Sequence, residues 1–244
     1  MIGLLLLLSG AQADTSGQAD TVTAGLRVFV FSRTTGFRHG SIDAGKKMFR
    51  ELARENNWLA TFSENPEDIR EGILRGFDAV VFLNTTGDIL DEGQQNEFEL
   101  YIRKGGGYLG IHSAADTEYD WKWYGGLVGG YFKGHPAVQE AKVLIEDREH
   151  PATKFLPEIW TRKDEWYDYR AVPAEGVCIL ARLDTSSYKG HTMGDDHPIM
   201  WCHEYDGGRA FYTGFGHTDE SYSDPMFRRV VTQAIVWLSE AKSS

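Results

Sequence analysis

The alternation of apolar and amphipathic segments restricts the fold of this chain more than any other feature. Residues 26–32 form a nearly continuous apolar run, which is typical of a strand buried on both faces of a parallel sheet. After a loop, residues 41–57 place their apolar side chains on one helical face, with Ser41 as the predicted N-cap. Together these segments predict a strand–loop–helix unit.

The same order recurs further along the chain. Residues 79–84 predict a second buried strand, residues 92–104 a helix that stops at a run of glycines, and residues 108–112 the next strand. Strands and helices that alternate in this way predict a parallel, right-handed, doubly wound sheet. Ligands of such sheets bind beyond the carboxyl ends of the strands, so we expect the functional site there.

The second half of the chain has a different pattern. After Ser113 comes an aromatic-rich loop, and turn sequences then separate strand-like segments that we expect to pair antiparallel. These segments are residues 137–146, 176–184, 199–205 and 209–215. A closing helix is predicted after Asp224 and Pro225. The predicted fold is therefore α/β, a mostly parallel doubly wound sheet with an antiparallel β extension.

Composition and charge limit the number of domains and the classes of partner. A chain of 244 residues, 41% of them hydrophobic, can bury its own core, so residues 26–240 are predicted to form a single domain. The net charge of -11 repels nucleic acids and anionic membrane surfaces. We expect neither as a partner, whereas a neutral ligand such as a sugar is compatible with this charge.

The N-terminal segment predicts export. Residues 1–13 contain no charged residue, include an apolar run and end in Ala11-Gln12-Ala13, the pattern of a signal-peptidase site. Residues 14–25 are small and polar and are predicted to be a flexible leader in a periplasmic or extracellular protein. The apolar run is too short to span a bilayer. Because no basic residue precedes the run, an apolar N-terminus without a signal function is the alternative.

Both cysteines, Cys178 and Cys202, lie in strand-like segments. They would either pair across neighbouring strands in an oxidising compartment or serve as small buried apolar residues, and the sequence leaves both open. Neither has the polar, helix-opening surroundings of a reactive thiol.

Three histidines follow predicted strands and are expected to meet at one edge of the sheet. His39 lies in the loop before the first helix, where free backbone N–H groups point at a ligand. His112 ends a strand at a junction like a nucleophile elbow, where an imidazole suits acid–base work, hydrogen bonding to a sugar hydroxyl or metal ligation. His217 follows a late strand, with Asp219 and Glu220 near enough to fix its tautomer.

Glu165 is the fourth candidate for catalysis. Trp166 and Tyr167 follow it directly and would stack against the face of a sugar. The alternative is a solvated loop charge beside two core aromatic residues.

A divalent metal ion such as zinc is a candidate cofactor. The residues that would suit it are His39, His112, Glu165 and His217. The chain has no HxH or HExxH spacing, so this metal site depends on the predicted fold. His135 and His150 each precede a proline and are predicted to be turn residues.

Several motifs that occur in order along the chain resemble those of one known family. They are the segments 33–41, 105–113, 164–167, 197–201 and 208–213, together with Gly216-His217. The chain resembles the ThuA-like (trehalose utilisation) family, a branch of the class I glutamine amidotransferase-like fold, over nearly all of residues 26–240. This resemblance implies a flavodoxin-like sheet.

The resemblance also bears on the chemistry at the elbow. In amidotransferases of the wider fold, the catalytic cysteine occupies the position that His112 has here, and a late histidine and glutamate correspond to His217 and Glu220. Because the cysteine is missing, glutamine hydrolysis by a thiolate is not expected, and the inherited pocket is left with other chemistry.

The function implied by the resemblance is disaccharide catabolism, in particular of trehalose-like glycosides or their 3-keto derivatives alongside a sugar dehydrogenase. A histidine or carboxylate base with an electrophile at the keto group would then drive elimination or hydration of a glycosidic bond. The residues predicted to bind the substrate are Arg38, Ser113, Asp116, Trp166, Tyr167, Asp219 and Glu220.

Three other functions stay open. Trp121, Trp123 and Trp166, together with the histidines, would bind a sugar in a carbohydrate-binding protein without catalysis. A conventional glycosidase would use two carboxylates, and a partner-binding domain of an exported assembly would show a large exposed apolar patch. The exact substrate, metal binding and the oligomeric state, including a homo-oligomer, are also open.

Overall fold

The elements below belong to the part of the chain that the computed structural model describes, residues 25–171, 173 and 176–240. The predicted signal peptide, 1–13, and the predicted leader up to residue 24 lie outside the described residues. The strands are β1 Arg27–Phe31, β2 Leu59–Ser63, β3 Ala79–Leu83, β4 Gly107–Ile111, β5 Phe132–Gly134, β6 Gln139–Ile145, β7 Ile159–Asp164, β8 Asp168–Tyr169, β9 Cys178–Leu183, β10 Pro198–Tyr205 and β11 Gly208–Thr213. The helices are α1 Ile42–Glu55, α2 Glu71–Leu74, α3 Glu92–Arg103, α4 Lys122–Val128, α5 Asp219–Ser223 and α6 Pro225–Ser239, with 3-10 turns at Pro66–Asp68 and His112–Asp116.

One mixed sheet carries most of the strands, in the order β2-β1-β3-β4-β11-β10-β9-β6-β7. Neighbouring strands are parallel from β2 to β11. From β11 to β7 they are antiparallel. The short strands β5 and β8 pair separately. This topology confirms the predicted α/β fold, in which a parallel core is extended by antiparallel strands.

The structure differs from the predicted elements at several places. Residues 209–215 are predicted to pair antiparallel, but β11 is antiparallel to β10 and parallel to β4, because it completes the parallel core. The sequence pattern predicts neither β2 nor β7. β2 is an edge strand without a fully buried residue, and β7 alternates exposed and buried residues, so neither carries a continuous apolar run. Ser41 stands at the N-cap position of α1, but its side chain makes no capping hydrogen bond.

The core lies on the apolar strands and on one face of each long helix. β3 and β4 are buried at every residue, as expected for strands covered on both faces. α6 buries one face at spacings of three and four, through Phe227, Val230, Val231, Ala234, Ile235 and Leu238. Because the core strands run parallel, their carboxyl ends share one edge of the sheet. Within the described ranges, no helix has both the length and the apolar character needed to cross a bilayer.

Close packing of α6 on β4 requires glycine at position 107. A Cβ at Gly107 would lie 2.8 Å from the Cβ of Leu238 and 3.0 Å from the carbonyl oxygen of Asp78. The first contact is shorter than Cβ atoms show in proteins and the second is tighter than most, so the backbone or the helix would have to move.

Gly107→Ala is expected to lower the free energy of unfolding by about 1–3 kcal/mol, because the added methyl group overpacks the contact with α6. Urea denaturation followed by circular dichroism measures the loss. Gly72→Ala in α2 is the matched control, since a Cβ there meets no atom within 4 Å. An unchanged midpoint for Gly107→Ala would contradict the close packing.

Candidate functional site

Four predicted site residues meet at the carboxyl edge of the parallel strands. His39 lies in the loop after β1, His112 directly after β4, His217 in the loop after β11, and Glu165 directly after β7. The imidazole centroids are 4.9 Å apart for His39 and His112, 5.2 Å for His39 and His217, and 5.3 Å for His112 and His217. Each of the four residues offers one ligand atom, and these atoms all lie within 4.8 Å of one another. We call this group the His–Glu cluster.

His112 has the backbone geometry of an elbow. Its φ of 50° lies in the left-handed region, which non-glycine residues rarely adopt and which often marks a functional position. The ring Nδ1 donates a hydrogen bond to the carbonyl oxygen of Gly214 at 2.9 Å. In the neutral ring Nε2 then carries a lone pair. This buried Nε2 lies 3.4 Å from Oε2 of Glu165 and makes no well-aligned hydrogen bond within the described part of the chain.

Glu165 is the anionic member of the cluster. Its Oε2 lies 3.0 Å from Nδ1 of His217, and its Oε1 lies 3.0 Å from Nδ1 of His135. Burial raises the pKa of Glu165, but the contacts with His112 and His217 outweigh it and hold that pKa well below its usual range. The reciprocal contact with Glu165 raises the pKa of His217 despite burial. Glu165 is therefore a carboxylate at neutral pH.

His39 is the neutral member of the cluster. Burial, together with the nearby imidazoles of His112 and His217, lowers its pKa to about 3. Its Nδ1 lies 3.3 Å from the hydroxyl oxygen of Ser113. Neutral imidazole is the form of histidine that binds a metal ion, so the shift favours ligation.

The donor set fits zinc or a similar divalent ion. Three imidazoles and one carboxylate are common ligands of zinc, and two ligands of a tetrahedral zinc ion lie about 3.3 Å apart. The separations of Glu165 Oε2 from His217 Nδ1 and His112 Nε2, 3.0 and 3.4 Å, are close to that value. The buried, poorly satisfied Nε2 of His112 also favours a ligand at this point.

Asp164 fixes the positions of two cluster members and was not among the predicted site residues. Its Oδ1 accepts hydrogen bonds from the backbone N–H groups of Glu165 and His217 at 2.9 and 3.1 Å. Its Oδ2 accepts from the backbone N–H of Gly216 at 3.0 Å and from the hydroxyl of Ser221 at 2.7 Å. Asp164 is fully buried and joins the end of β7 to the loop after β11. We regard it as a positioning residue.

The carbonyl oxygen of Gly216 ties the loops of His39 and His217 together. It accepts hydrogen bonds from Oγ of Ser41 at 3.0 Å, Nδ2 of Asn84 at 3.0 Å and the hydroxyl of Tyr222 at 2.9 Å. The side chain of Ser41 is thus used between loops rather than as a helix cap. Loops after β1, β3 and β11 are held in one arrangement.

The structure adds His135 to the site. This residue follows β5, its side chain is 42% exposed, and its Nδ1 contacts the carboxylate of Glu165. Its sequence neighbourhood shows a turn before proline and gives no sign of a contact with Glu165, because that contact joins segments far apart in the chain.

Two of the residues predicted to bind a substrate pack directly against the cluster. Ser113 is buried next to His39, and the Tyr167 ring lies 4.1 Å from the His112 ring, with a side chain that is almost wholly buried. Asp116 is half-buried at the end of the 3-10 turn that begins at His112, and it accepts a hydrogen bond from the hydroxyl of Tyr119. Burial raises the pKa of Asp116.

The remaining predicted binding residues have other partners. Arg38 makes two hydrogen bonds to the carboxylate of Glu64. Trp166 is fully buried and donates its indole N–H to the carbonyl of Gln139, so its ring is not open to a ligand. Asp219 and Glu220 lie exposed in the first turn of α5. The carboxylate beside His217 is that of Glu165.

Comparisons with known proteins bear on the family and the fold. Residues 27–238 match the sequence profile of ThuA, described as trehalose utilisation. A ThuA-like protein from Bacteroides uniformis has a similar structure, with 22% identity and a TM-score of 0.76, and the match covers 91% of this chain and 94% of that chain. A ThuA-like protein from Parabacteroides merdae matches with 18% identity and a TM-score of 0.71, covering 89% and 91%.

A GMP synthase subunit from Thermoplasma acidophilum is also similar in structure, with 17% identity, a TM-score of 0.54 and coverage of 90% of this chain and 96% of that one. This likeness confirms the predicted glutamine amidotransferase-like fold. No curated protein matches the chain.

The His–Glu cluster is expected to bind one zinc ion per chain and to raise the melting temperature when zinc is added to chelator-treated protein. His112→Ala is expected to weaken zinc binding by more than about 100-fold, beyond the loss typical of residues that only support a ligand. Calorimetric titration measures the affinity. His203→Ala, at a half-buried histidine that bonds to the carbonyl of Gly126, is the matched control and should retain binding. Equal zinc affinities of the two variants would contradict a zinc site at the His–Glu cluster.

Asp164→Asn is expected to weaken zinc binding by about 10–100-fold, because an amide cannot accept all the hydrogen bonds that the carboxylate receives, among them those from the backbone of Glu165 and His217. Ser221→Ala removes one of these bonds and should cost about 1 kcal/mol of stability without a comparable loss of affinity. Titration calorimetry and urea denaturation of each variant separate the two effects. If both variants lose stability and zinc affinity in the same proportion, Asp164 has only a structural role.

Proposed function

This chain belongs to the ThuA trehalose-utilisation family, as its sequence motifs predict, and on that premise we propose that it is a metal-assisted enzyme that cleaves the glycosidic bond of 3-keto disaccharides. One observation carries the proposal. Three imidazoles and a carboxylate meet at the carboxyl edge of the parallel strands, where α/β sheets bind their ligands. A divalent ion held there would supply Lewis-acid polarisation of the keto oxygen.

The chemistry of a 3-keto sugar suits such a site. The keto group at C3 acidifies the C2–H bond, and the glycosidic oxygen on C1 is a leaving group in the β position. A base takes the C2 proton, the electron pair forms the C1–C2 double bond, and the C1–O bond breaks. The departing sugar oxygen takes up a proton, and addition of water across the new double bond would complete a net hydrolysis.

His135 is our candidate for the base. Its Nδ1 lies 3.0 Å from both Oε1 of Glu165 and the carbonyl oxygen of Pro136, and both atoms are acceptors. The neutral ring therefore keeps its proton on Nδ1 and leaves Nε2 to accept one. The exposed fraction of the side chain gives a substrate access to it.

Asp116 is our candidate for the acid that protonates the departing oxygen. Burial raises its pKa, which increases the fraction of the carboxyl group that holds a proton. One of its oxygens accepts the hydroxyl hydrogen bond of Tyr119, which orients the group. Asp116 ends the 3-10 turn that begins at His112 of the cluster.

The 3-keto substrate has to come from oxidation of a sugar hydroxyl, so a sugar dehydrogenase is the class of enzyme that would supply it.

The apolar segment 1–13 with its Ala11-Gln12-Ala13 ending supports export and cleavage after Ala13. Mass determination of the protein recovered from its producing cells would show whether that segment is removed.

The zinc-loaded protein is expected to release free sugar from 3-keto-trehalose and to leave trehalose intact, because only the keto form has an acidic C2–H. Product formation is followed by NMR with and without chelator. In D2O the keto ring should also acquire deuterium at C2, which marks proton abstraction.

The double variant His112→Ala, His217→Ala is expected to lose this turnover, and His203→Ala serves again as the control. Unchanged turnover in the double variant would overturn the proposal. Cleavage of trehalose itself at a similar rate would indicate a conventional glycosidase. Binding of both sugars without product or deuterium exchange would indicate a carbohydrate-binding protein.

A further inference from the structure

An exposed aromatic ring stands beside the His–Glu cluster. Phe37 lies in the loop between β1 and α1, and its side chain is 65% exposed. Its ring centroid is 4.9 Å from that of His39, with the two rings nearly perpendicular. Removing a large apolar side chain from water is favourable. An exposed aromatic ring at a polar site therefore suggests a ligand that covers the ring.

The backbone that carries Phe37 is held in place. The carbonyl oxygen of Phe37 accepts a hydrogen bond from the hydroxyl of Thr86 at 2.7 Å. The backbone N–H groups of Thr35 and Gly36 donate to the carbonyl oxygen of Thr86 at 2.9 and 3.3 Å. On the other side, Arg38 makes its two hydrogen bonds to Glu64. The ring is therefore presented from a fixed loop.

The two aromatic residues that the sequence suggests for stacking, Trp166 and Tyr167, have no free face of this kind. Trp166 is wholly buried, and Tyr167 is 2% exposed between the rings of His112 and Phe132. The stacking surface that the sequence suggests at Trp166 and Tyr167 is thus used inside the core. Phe37 offers the exposed ring in its place.

We propose that Phe37 is the platform for the second sugar ring of the substrate, and that it makes the site selective for disaccharides over glycosides with a small leaving group. The apolar face of a pyranose covers a flat aromatic ring, while its hydroxyl groups remain at the edge in water. The keto ring would occupy the His–Glu cluster, and the departing ring would lie over Phe37. This inference rests on the proposed function for the identity of the first ring.

The test compares two substrates, 3-keto-trehalose and methyl 3-keto-glucoside. Phe37→Ala is expected to raise KM for the disaccharide by about 10-fold, as for loss of one apolar contact, and to leave KM for the methyl glycoside unchanged. Phe37→Trp should restore the disaccharide KM, because it restores a flat ring. Leu59→Ala, at an equally exposed residue in β2, is the matched control.

A binding experiment separates this inference from the proposed function. NMR titration of the metal-free protein with trehalose and methyl glucoside needs no turnover. If trehalose binding weakens in Phe37→Ala but not in the control variant Leu59→Ala, the result would support the proposed role of Phe37 even if no product forms. Equal effects of Phe37→Ala on both substrates, or a change in zinc affinity, would mean that Phe37 only covers His39. A change in sedimentation of Phe37→Ala would point to a protein interface. Either result would overturn the platform.

Discussion

The buried carboxylate of Asp164 is the interaction on which the site depends. It accepts hydrogen bonds from three backbone N–H groups, from Ser221 and from Arg162, and thereby holds the backbone of Glu165, Gly216 and His217 in one frame. A carboxylate in the protein interior is costly unless its oxygens are satisfied, and here the donors come from two distant parts of the chain. The carboxylate of Asp164 therefore stabilises the junction of β7 with the loop after β11 and also sets the spacing of the His–Glu cluster.

Arg162 completes this junction from the other side. Its guanidinium group is buried, donates a hydrogen bond to the hydroxyl of Ser221 and lies 3.4 Å from Asp164. It also lies over the rings of Trp160 and Phe215 at 4.5 and 4.4 Å. A positive charge placed between a carboxylate and aromatic faces is compensated on each side. The antiparallel extension is in this way attached to the parallel core at the point where Glu165 enters the site.

The electrostatics of the cluster favour a cation. Three imidazoles surround a single carboxylate, so more than one protonated imidazole would give repulsion between like charges. Burial keeps His39 neutral. His112 occupies the elbow where the wider fold places a cysteine, and its Nδ1 is committed to the carbonyl of Gly214. What remains at the elbow is one nitrogen lone pair, which suits ligation or hydrogen bonding.

The sequence by itself determined the buried strands β1, β3 and β4, the long amphipathic helices and the positions of His39, His112 and His217, because periodicity and strand ends are local properties. It also singled out Glu165 from its motif. Only the tertiary structure decided that β7 brings Asp164 and Glu165 to the histidines, that His135 joins them, and that Phe37 rather than Trp166 keeps an exposed ring. The bonds of Asp164 to Gly216 and His217 span 52 and 53 residues, and no local pattern encodes a contact between segments so far apart.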